Sequence, residues 1–142
     1  MMSDKEILKA IEKHEILIEP FKAKEMLGPC SVDLHLLYEF RVFKMGRVVD
    51  PQGDLSNEQA TELILTKGKP FIIAPGQFTL ASTIEKIAIS KNIAATLEGR
   101  SSIARLGIMV HAAGLVNPGT GLTKPSRLTL EVSCQNSSPI KL

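Results

Sequence analysis

The sequence has little aromatic character, with no tryptophan and one tyrosine among its 142 residues. Single-stranded nucleic acid is bound largely by stacking bases on aromatic side chains, so such binding surfaces are scarce here. The 17 basic and 15 acidic residues leave a net charge of +2, which is too balanced for the basic stripe of a DNA-coating protein. We therefore expect no nucleic-acid partner. A local basic pocket for a polyphosphate remains compatible with this balance.

Long apolar runs are missing as well. No run approaches the roughly 20 residues that cross a bilayer as a helix, so we expect no membrane segment. The first residues, Met1 to Glu6, lack the basic-then-apolar order of a signal peptide. These two absences favour a cytoplasmic protein.

Cysteine is rare, and the two residues present, Cys30 and Cys134, match no metal-binding spacing. A disulfide framework is not expected in a cytosolic chain. We interpret both cysteines as small buried hydrophobic residues.

The chain length favours a single domain over residues 1–142. Residues 3–14 predict an amphipathic helix, capped by Ser3 and Glu6 in a capping box, with Ile7, Leu8 and Ile11 on its buried face. Beyond it, many short runs of strand character are separated by turn residues such as Pro75 and Gly76. This pattern predicts a mainly β fold, a sandwich or a barrel.

The predicted elements are mostly strands. An edge strand at 15–19 ends at Pro20, and a short helix or turn covers 22–27. A polar loop is predicted at 50–57, and one helical turn at 103–106. The remaining strand predictions are 31–36, 38–43, 62–66, 71–74, 78–83, 93–97, 108–113, 127–133 and 139–142.

The most informative stretch is residues 99–107, in which two arginines flank two serines after a glycine. Arginine presents a planar fork of donors that fits phosphate oxygens, and serine hydroxyls add further donors. A helix beginning at Ile103 would add free N–H groups that favour an anion. Spacing alone leaves a second interpretation open, namely a capped surface turn with solvated arginines.

This stretch resembles the Gly-Arg-Ser-Ser-(Leu/Ile)-Ala-Arg-x-Gly motif of the family that contains dCTP deaminase and trimeric dUTPase. Four other segments are similar to the same family. They are the N-terminal helix at 3–7, the aspartate-bearing strand at 28–36, the Pro75–Gly76 turn and the glutamate-bearing strand at 128–132. The resemblance extends from Ser3 to Leu142. It implies a distorted β-barrel or jelly-roll of the β-clip type, and a homotrimer with active sites between subunits.

The resemblance also implies roles for individual residues. Arg100, Ser101 and Ser102 would hold phosphates, and Arg105 would orient groups near the reacting water. Glu131 would act as general acid and base in deamination at C4 of cytosine, a task that one positioned carboxylate can perform. The alternative for Glu131 is an outward-facing side chain on a half-exposed strand.

For cofactors, the resemblance implies Mg²⁺ bound chiefly through the triphosphate, with Asp33 near its water ligands. Magnesium keeps several waters and phosphate oxygens, so one distant carboxylate suffices. Zinc deaminases instead use His and Cys ligands, and their paired-cysteine motif is missing, so we expect no zinc.

Residues 111–119 resemble the nucleoside-binding hairpin of the family, which implies contacts from His111, Ala113, Gly114 and Asn117. His111 is equally compatible with a hydrogen-bonded core histidine. Relatives usually carry aspartate where Asn117 stands, and in dUTPases that aspartate positions the attacking water. An amide is not a useful base, so Asn117 argues against a dUTPase. The hairpin is also one residue shorter than in typical deaminases.

Two further departures concern chain length. The loop at 120–126 is longer than in relatives, and a displacement of Glu131 by about 1 Å costs roughly 100-fold in rate. Relatives continue beyond Leu142 into a strand and a mobile segment that closes over the nucleotide, and we expect that this strand and tail are missing here.

Three functions follow. The first is deamination of dCTP to dUTP with release of ammonia. The second is hydrolysis of dUTP, alone or combined with deamination. The third is nucleotide binding without catalysis, which Asn117, the longer loop and the missing tail would favour.

Overall fold

A computed structural model describes residues 1–46, 48–50, 57–110 and 113–142, with only the backbone of residue 57. The chain divides into two compact units. Unit 1 combines Met1–Leu36, Ser82–Glu98 and Ala113–Thr129, and unit 2 combines Leu37–Ala81, Gly99–Ala112 and Leu130–Leu142. The single-domain assignment stays a prediction.

Unit 1 begins with helix α1, Asp4–Glu12, which has the predicted capping box. The Ser3 hydroxyl accepts a hydrogen bond from the Glu6 backbone N–H, and the Glu6 carboxylate accepts one from the Ser3 backbone N–H. Ile7 and Ala10 are buried, as an amphipathic helix requires, whereas Leu8 is half-buried.

The other elements of unit 1 surround a small apolar core. Strand β1, Ile16–Glu19, pairs antiparallel with the end of β5, Phe78–Ile89, so that Ile16 lies opposite Ile89. Strands β6, Ala95–Thr96, and β8, Leu115–Val116, form a two-stranded pair, and helix α2 covers Ala23–Met26. The core consists of Ile87, Ile89 and Val116, against which Ile16, Leu34, Leu97 and Leu128 pack.

Unit 2 is also built from strands. Strand β2, Glu39–Phe43, pairs antiparallel with both β3, Thr61–Leu65, and the start of β5. Phe40 of β2 stacks on Phe71, with ring centroids 4.1 Å apart, and both are buried. The remaining elements are helices α3, Asn57–Ala60, and α4, Ser101–Ala104, with strands β4, Ile72–Ile73, β7, Ile108–Val110, and β10, Ile140–Lys141. Strand β9, Ser126–Cys134, begins in unit 1 and belongs to unit 2 from Leu130 onward.

The mainly β fold class is confirmed. The largest sheet has the order β3-β2-β5-β9-β7, with β1 also paired to β5, and β4–β10 and β6–β8 form two smaller sheets. Across the described residues, this strand path runs from β3 to β7 without closing into a barrel. None of the helices in the described part of the chain is long and apolar enough to cross a membrane.

Two strand predictions are wrong. Residues 31–36 form no strand and take part only in isolated bridges, Leu27 with Val32 and Leu36 with Thr83. Their alternation is that of a strand, but the Asp33 N–H donates to the Met26 carbonyl of helix α2 and the His35 N–H donates to the Glu85 carboxylate. Conversely, β5 continues six residues beyond the predicted end at Thr83, because its later residues pair with β1.

The two cysteines differ in burial. Cys134 is buried as expected, whereas Cys30 is exposed, since it lies in the bend after Gly28 and Pro29. Most of the predicted polar loop at 50–57, namely residues 51–56, lies outside the described residues.

Candidate functional site

The Arg-Ser-Ser segment of residues 99–107, here called the signature bend, is a short helical turn in unit 2. Helix α4 begins at Ser101, two residues before the predicted start. The N–H of Ile103 therefore donates to the Arg100 carbonyl at 2.9 Å, and the N–H of Ala104 does the same. The expectation of a free N–H at Ile103 is wrong, since the helix has already begun there.

The side chains of the signature bend lie at the surface. Arg100, Ser101, Ser102 and Arg105 are all exposed, which leaves two guanidinium groups and two hydroxyls on one short turn. Such a set of donors matches the oxygens of a phosphate chain. The four predicted anion-binding residues are therefore exposed on one helical turn. Their side chains, and not the N–H of Ile103, are the donors that the turn presents.

The end of the bend is held by the segment after β9. The Gly107 carbonyl accepts the Gln135 N–H at 2.7 Å, and the Asn136 side-chain amide donates to the Leu106 carbonyl at 2.9 Å. Gly107 has φ +84°, and a Cβ there would lie 2.8 Å from the Asn136 nitrogen. Glycine is required at this position by both backbone conformation and space.

Glu131 lies on β9, where its neighbours Leu130 and Val132 are buried and its own side chain is half-buried. Side chains alternate along a strand, so Glu131 points away from the apolar face. Val132 lies opposite Val110 of β7, and a Cβ added at Gly99 would lie 3.6 Å from the Cβ of Val110. The strand register therefore places Glu131 next to the residue that pairs with β7, the strand that follows the signature bend.

The described residues of the hairpin predicted to bind the nucleoside, 113–119, belong to unit 1. Its strand β8 pairs with β6, and the Leu97 N–H donates to the Gly114 carbonyl at 2.7 Å. Val116 is buried in the unit 1 core, whereas Ala113 and Asn117 are exposed. His111 lies outside the described residues. The core thus anchors the hairpin while leaving the polar position 117 accessible.

The turn after Asn117 is closed by Thr120. The Asn117 carbonyl accepts the Thr120 hydroxyl at 2.7 Å and the Thr120 N–H at 3.1 Å. The Thr120 carbonyl in turn accepts the Ile89 N–H of β5 at 2.9 Å. Gly121 has φ +74° and packs directly on the backbone of β5.

The long loop at 120–126 is therefore fixed at its start. Past its far end, the Leu128 N–H donates to the Thr83 hydroxyl at 3.0 Å. Both anchors lie on β5, so the added residues do not leave the chain loosely attached before Glu131.

Asp33 is half-buried in unit 1, and its N–H donates to the Met26 carbonyl at 2.8 Å. Two residues later, His35 contacts Glu85, whose carboxylate is 1% exposed. Sequence analysis missed Glu85 because it ended the strand at Thr83. Continued alternation would have placed Glu85 on the buried face with Thr83, Ile87 and Ile89.

An apolar groove of about 640 Å³ lies elsewhere in unit 2. Val42, Phe43, Pro75 and Phe78 are among its lining residues. None of the predicted site residues lines it, and its apolar walls do not suit a triphosphate.

Comparison with known proteins supports the resemblance. A model of the dCTP deaminase-like family matches residues 1–142. A protein of Nanoarchaeum equitans named "dCTP deaminase, dUMP-forming" is 42% identical over 160 residues, covering all of this chain and 77% of the relative. A protein of the same name from Corynebacterium glutamicum is 38% identical over 144 residues, covering all of this chain and 74% of the relative.

A solved structure also has this fold. The 2'-deoxycytidine 5'-triphosphate deaminase of Agrobacterium tumefaciens superposes with a TM-score of 0.73 at 17% identity, over 99% of this chain. This chain spans 43% of the length of that protein, and at such identity the likeness concerns the fold. The prediction of an enzyme of deaminase type is confirmed by the named relatives. With a family match over its whole length, the chain belongs to the dCTP deaminase-like family.

Proposed function

We propose that this protein hydrolyses dCTP to dUMP. The relatives at 38–42% identity carry the name "dCTP deaminase, dUMP-forming", whereas the sequence alone led us to expect dUTP as the product. Formation of dUMP from dCTP needs two hydrolyses. Water replaces the amine at C4 and releases ammonia, and a second water attacks the α-phosphorus and releases diphosphate.

The observation that carries the proposal is the strand register between β7 and β9. It supports a site in which the signature bend and Glu131 act on one nucleotide, because β7, which begins directly after the bend, pairs through Val110 with the residue after Glu131. In this site Arg100, Ser101 and Ser102 bind phosphate oxygens through charged and neutral donors. Arg105 orients the groups around the reacting water.

Glu131 is the proton carrier for deamination. Its carboxylate takes a proton from the water that attacks C4 and delivers it to the leaving amine. Its half-buried position on β9 supports this role, because it limits solvent while keeping the carboxylate accessible.

The hairpin residues bind the pyrimidine in this proposal. Ala113 and Gly114 supply backbone groups, and Asn117 supplies an amide that donates and accepts hydrogen bonds. His111 of the same hairpin is proposed to contact the pyrimidine as well. Since an amide does not take up a proton, Asn117 orients water without acting as the base of the diphosphate-releasing step.

Magnesium fits the donor set as a partner of the triphosphate. The described residues hold no group of three His, Cys, Asp or Glu side chains that would cage a metal by themselves. Asp33 offers a hard oxygen donor, and magnesium prefers such oxygens together with phosphates and water. When bound, the ion would neutralise phosphate charge, and Asp33 would accept hydrogen bonds from its waters.

The test is a product analysis with dCTP and Mg²⁺ that measures ammonia, diphosphate, dUTP and dUMP in the same sample. We expect ammonia and diphosphate in equal amounts, with dUMP as the final product. Accumulation of dUTP would show that deamination occurs alone. Absence of ammonia at high enzyme concentration would reject the proposal, and binding without turnover would favour a nucleotide-binding protein.

Glu131→Gln provides the matching variant. We expect ammonia release to fall by about 100-fold or more, since general acid–base catalysis contributes on that order. Glu62→Gln is the control, because Glu62 is an exposed glutamate on strand β3. Equal activity of Glu131→Gln and the wild type would remove Glu131 from the mechanism.

A further inference from the structure

Glu85 is the one charged residue among the buried polar side chains of the described part of the chain. Its side chain is 1% exposed, on the same face of β5 as the core residues Ile87 and Ile89. Burial of a carboxylate is costly unless hydrogen bonds and a partner compensate for the lost water. None of the roles proposed above uses this residue.

Both oxygens of Glu85 bind the same residue, fifty positions earlier in the sequence. One oxygen accepts the His35 backbone N–H at 3.0 Å, and the other lies 2.7 Å from Nδ1 of the His35 ring. A carboxylate only accepts hydrogen bonds, so Nδ1 carries the proton. The two bonds fix both the backbone and the ring of His35.

These bonds replace the strand pairing that residues 31–36 lack. The Ile84 N–H donates to the His35 carbonyl at 2.8 Å, and Leu36 forms an isolated bridge with Thr83. Leu34 packs on the unit 1 core, and the Asp33 N–H is bound by Met26. The Glu85 carboxylate is therefore the acceptor that completes the anchoring of this segment.

We propose that Glu85 is a positioning residue, which holds the segment of residues 33–36 and thereby fixes Asp33 for hydrogen bonds to the waters of the magnesium ion. This inference rests on the proposed function, since it concerns the same site. Glu85 itself touches neither the nucleotide nor the metal. It acts through His35 and the backbone between residues 33 and 35.

The experiment uses Glu85→Gln, which keeps the size of the side chain but offers an amide N–H₂ to Nδ1. The amide has one acceptor oxygen for the two His35 donors, so either Nδ1–H or the backbone N–H of His35 loses its acceptor. The matched control is Lys86→Gln, because Lys86 is exposed on the same strand.

Two quantities are measured on the whole protein. The first is the Mg²⁺ concentration that gives half-maximal turnover of dCTP. The second is the NMR signature of residues 33–36, namely the ring ¹⁵N shifts of His35 and the amide hydrogen exchange of the segment. For Glu85→Gln we expect about a tenfold higher Mg²⁺ requirement, as is typical for loss of an outer-shell partner, with kcat at saturating Mg²⁺ nearly unchanged. We also expect changed His35 ring shifts and faster exchange at residues 33–36.

A folded Glu85→Gln protein with the wild-type Mg²⁺ requirement would overturn the inference, even if its stability had fallen. Lys86→Gln should match the wild type in both measurements. If Glu85→Gln does not fold, His35→Ala replaces it, since it keeps the carboxylate and the backbone bond but removes the ring. An unchanged Mg²⁺ requirement in His35→Ala would then count equally against the inference.

Failure of the proposed function gives a different result. In that case the wild type itself does not turn over dCTP. The anchoring by Glu85 is then judged by NMR alone, with ring shifts and exchange rates at residues 33–36 compared between variant and wild type. Unchanged spectra would refute the anchoring as well.

Discussion

At the scale of single residues, position 117 is expected to set the balance between the two proposed hydrolyses. Asn117 is exposed, and its backbone carbonyl is held by both the hydroxyl and the N–H of Thr120. The turn is thus closed by backbone and threonine groups, and its geometry does not depend on the Asn117 amide. The side chain at position 117 is consequently free to vary with the chemistry of the site.

Asn117→Asp is expected to accelerate diphosphate release relative to ammonia release. A carboxylate at this position supplies a base for the water that attacks phosphorus, and such a base contributes on the order of 100-fold or more. The ratio of diphosphate to ammonia released early in the reaction with dCTP measures the effect. Asn92→Asp, at another exposed asparagine of unit 1, is the control. An unchanged ratio would mean that position 117 does not contact the attacking water.

Turns between the strands also position residues of the proposed site. The turn at 117–121 is one of them, and it depends on Gly121, whose added Cβ would lie 2.1 Å from the Ile87 carbonyl oxygen. Such a distance forces the backbone of the turn or of β5 to move. Thr120, the hairpin and the start of the long loop would move with it.

Gly121→Ala is therefore expected to destabilise the protein more than Gly76→Ala. Both glycines have positive φ, +74° and +70°, and a left-handed residue with a Cβ costs about 1–2 kcal/mol. Gly76 has open space around its added Cβ, so the difference between the variants isolates the contact with β5. Urea denaturation measures both. Equal losses in the two variants would contradict the close packing of Gly121.

The stability that the cap of helix α1 contributes is expected to depend on pH. Hydrogen bonds from the Ser3 backbone N–H and hydroxyl lower the pKa of Glu6 below its ordinary value. A lowered pKa in the folded state means stability that is present above the ordinary glutamate value of about 4.3 and is lost as the pH falls through the folded value.

Glu6→Gln should therefore reduce the free energy of unfolding more at pH 7 than in strongly acidic solution, where Glu6 is protonated in both states. Chemical denaturation at the two pH values gives the comparison. In a Ser3→Ala background, which loses the hydroxyl and its two bonds to Glu6, the pH-dependent part should shrink. A Glu6→Gln effect that is the same at both pH values would exclude the carboxylate as its cause.

The whole molecule is expected to be a homotrimer in which sites form between subunits. Cyclic symmetry allows the hairpin of one protomer to meet the signature bend and Glu131 of another. Sedimentation should then give three times the chain mass of 15.5 kDa.

Mixing two inactive variants, Arg100→Ala and Glu131→Gln, tests whether each site takes the signature bend and Glu131 from one chain. The two variants are unfolded and refolded together in equal amounts. Since the strand register places both groups on one protomer, every site of a mixed trimer should lack one of them, and we expect no recovery of ammonia release. Recovery of about a quarter of wild-type activity would instead show that the two groups come from different protomers, because each intact group is present with a probability of one half in a cyclic assembly.

The sequence by itself determined the helix cap, the mainly β class and the family, because these depend on local patterns and on one long motif. It did not reveal that residues 31–36 lack a strand, or that α4 begins at Ser101. Whether residues 31–36 form a strand depends on which groups bond to their backbone in the folded chain. Here the side chain of Glu85 accepts the His35 N–H, where a neighbouring strand would otherwise do so. Only the tertiary structure joined His35 to Glu85 and paired Val110 with the residue after Glu131. These pairings link residues far apart in the sequence, and periodicity carries no information about which distant strand a residue will meet.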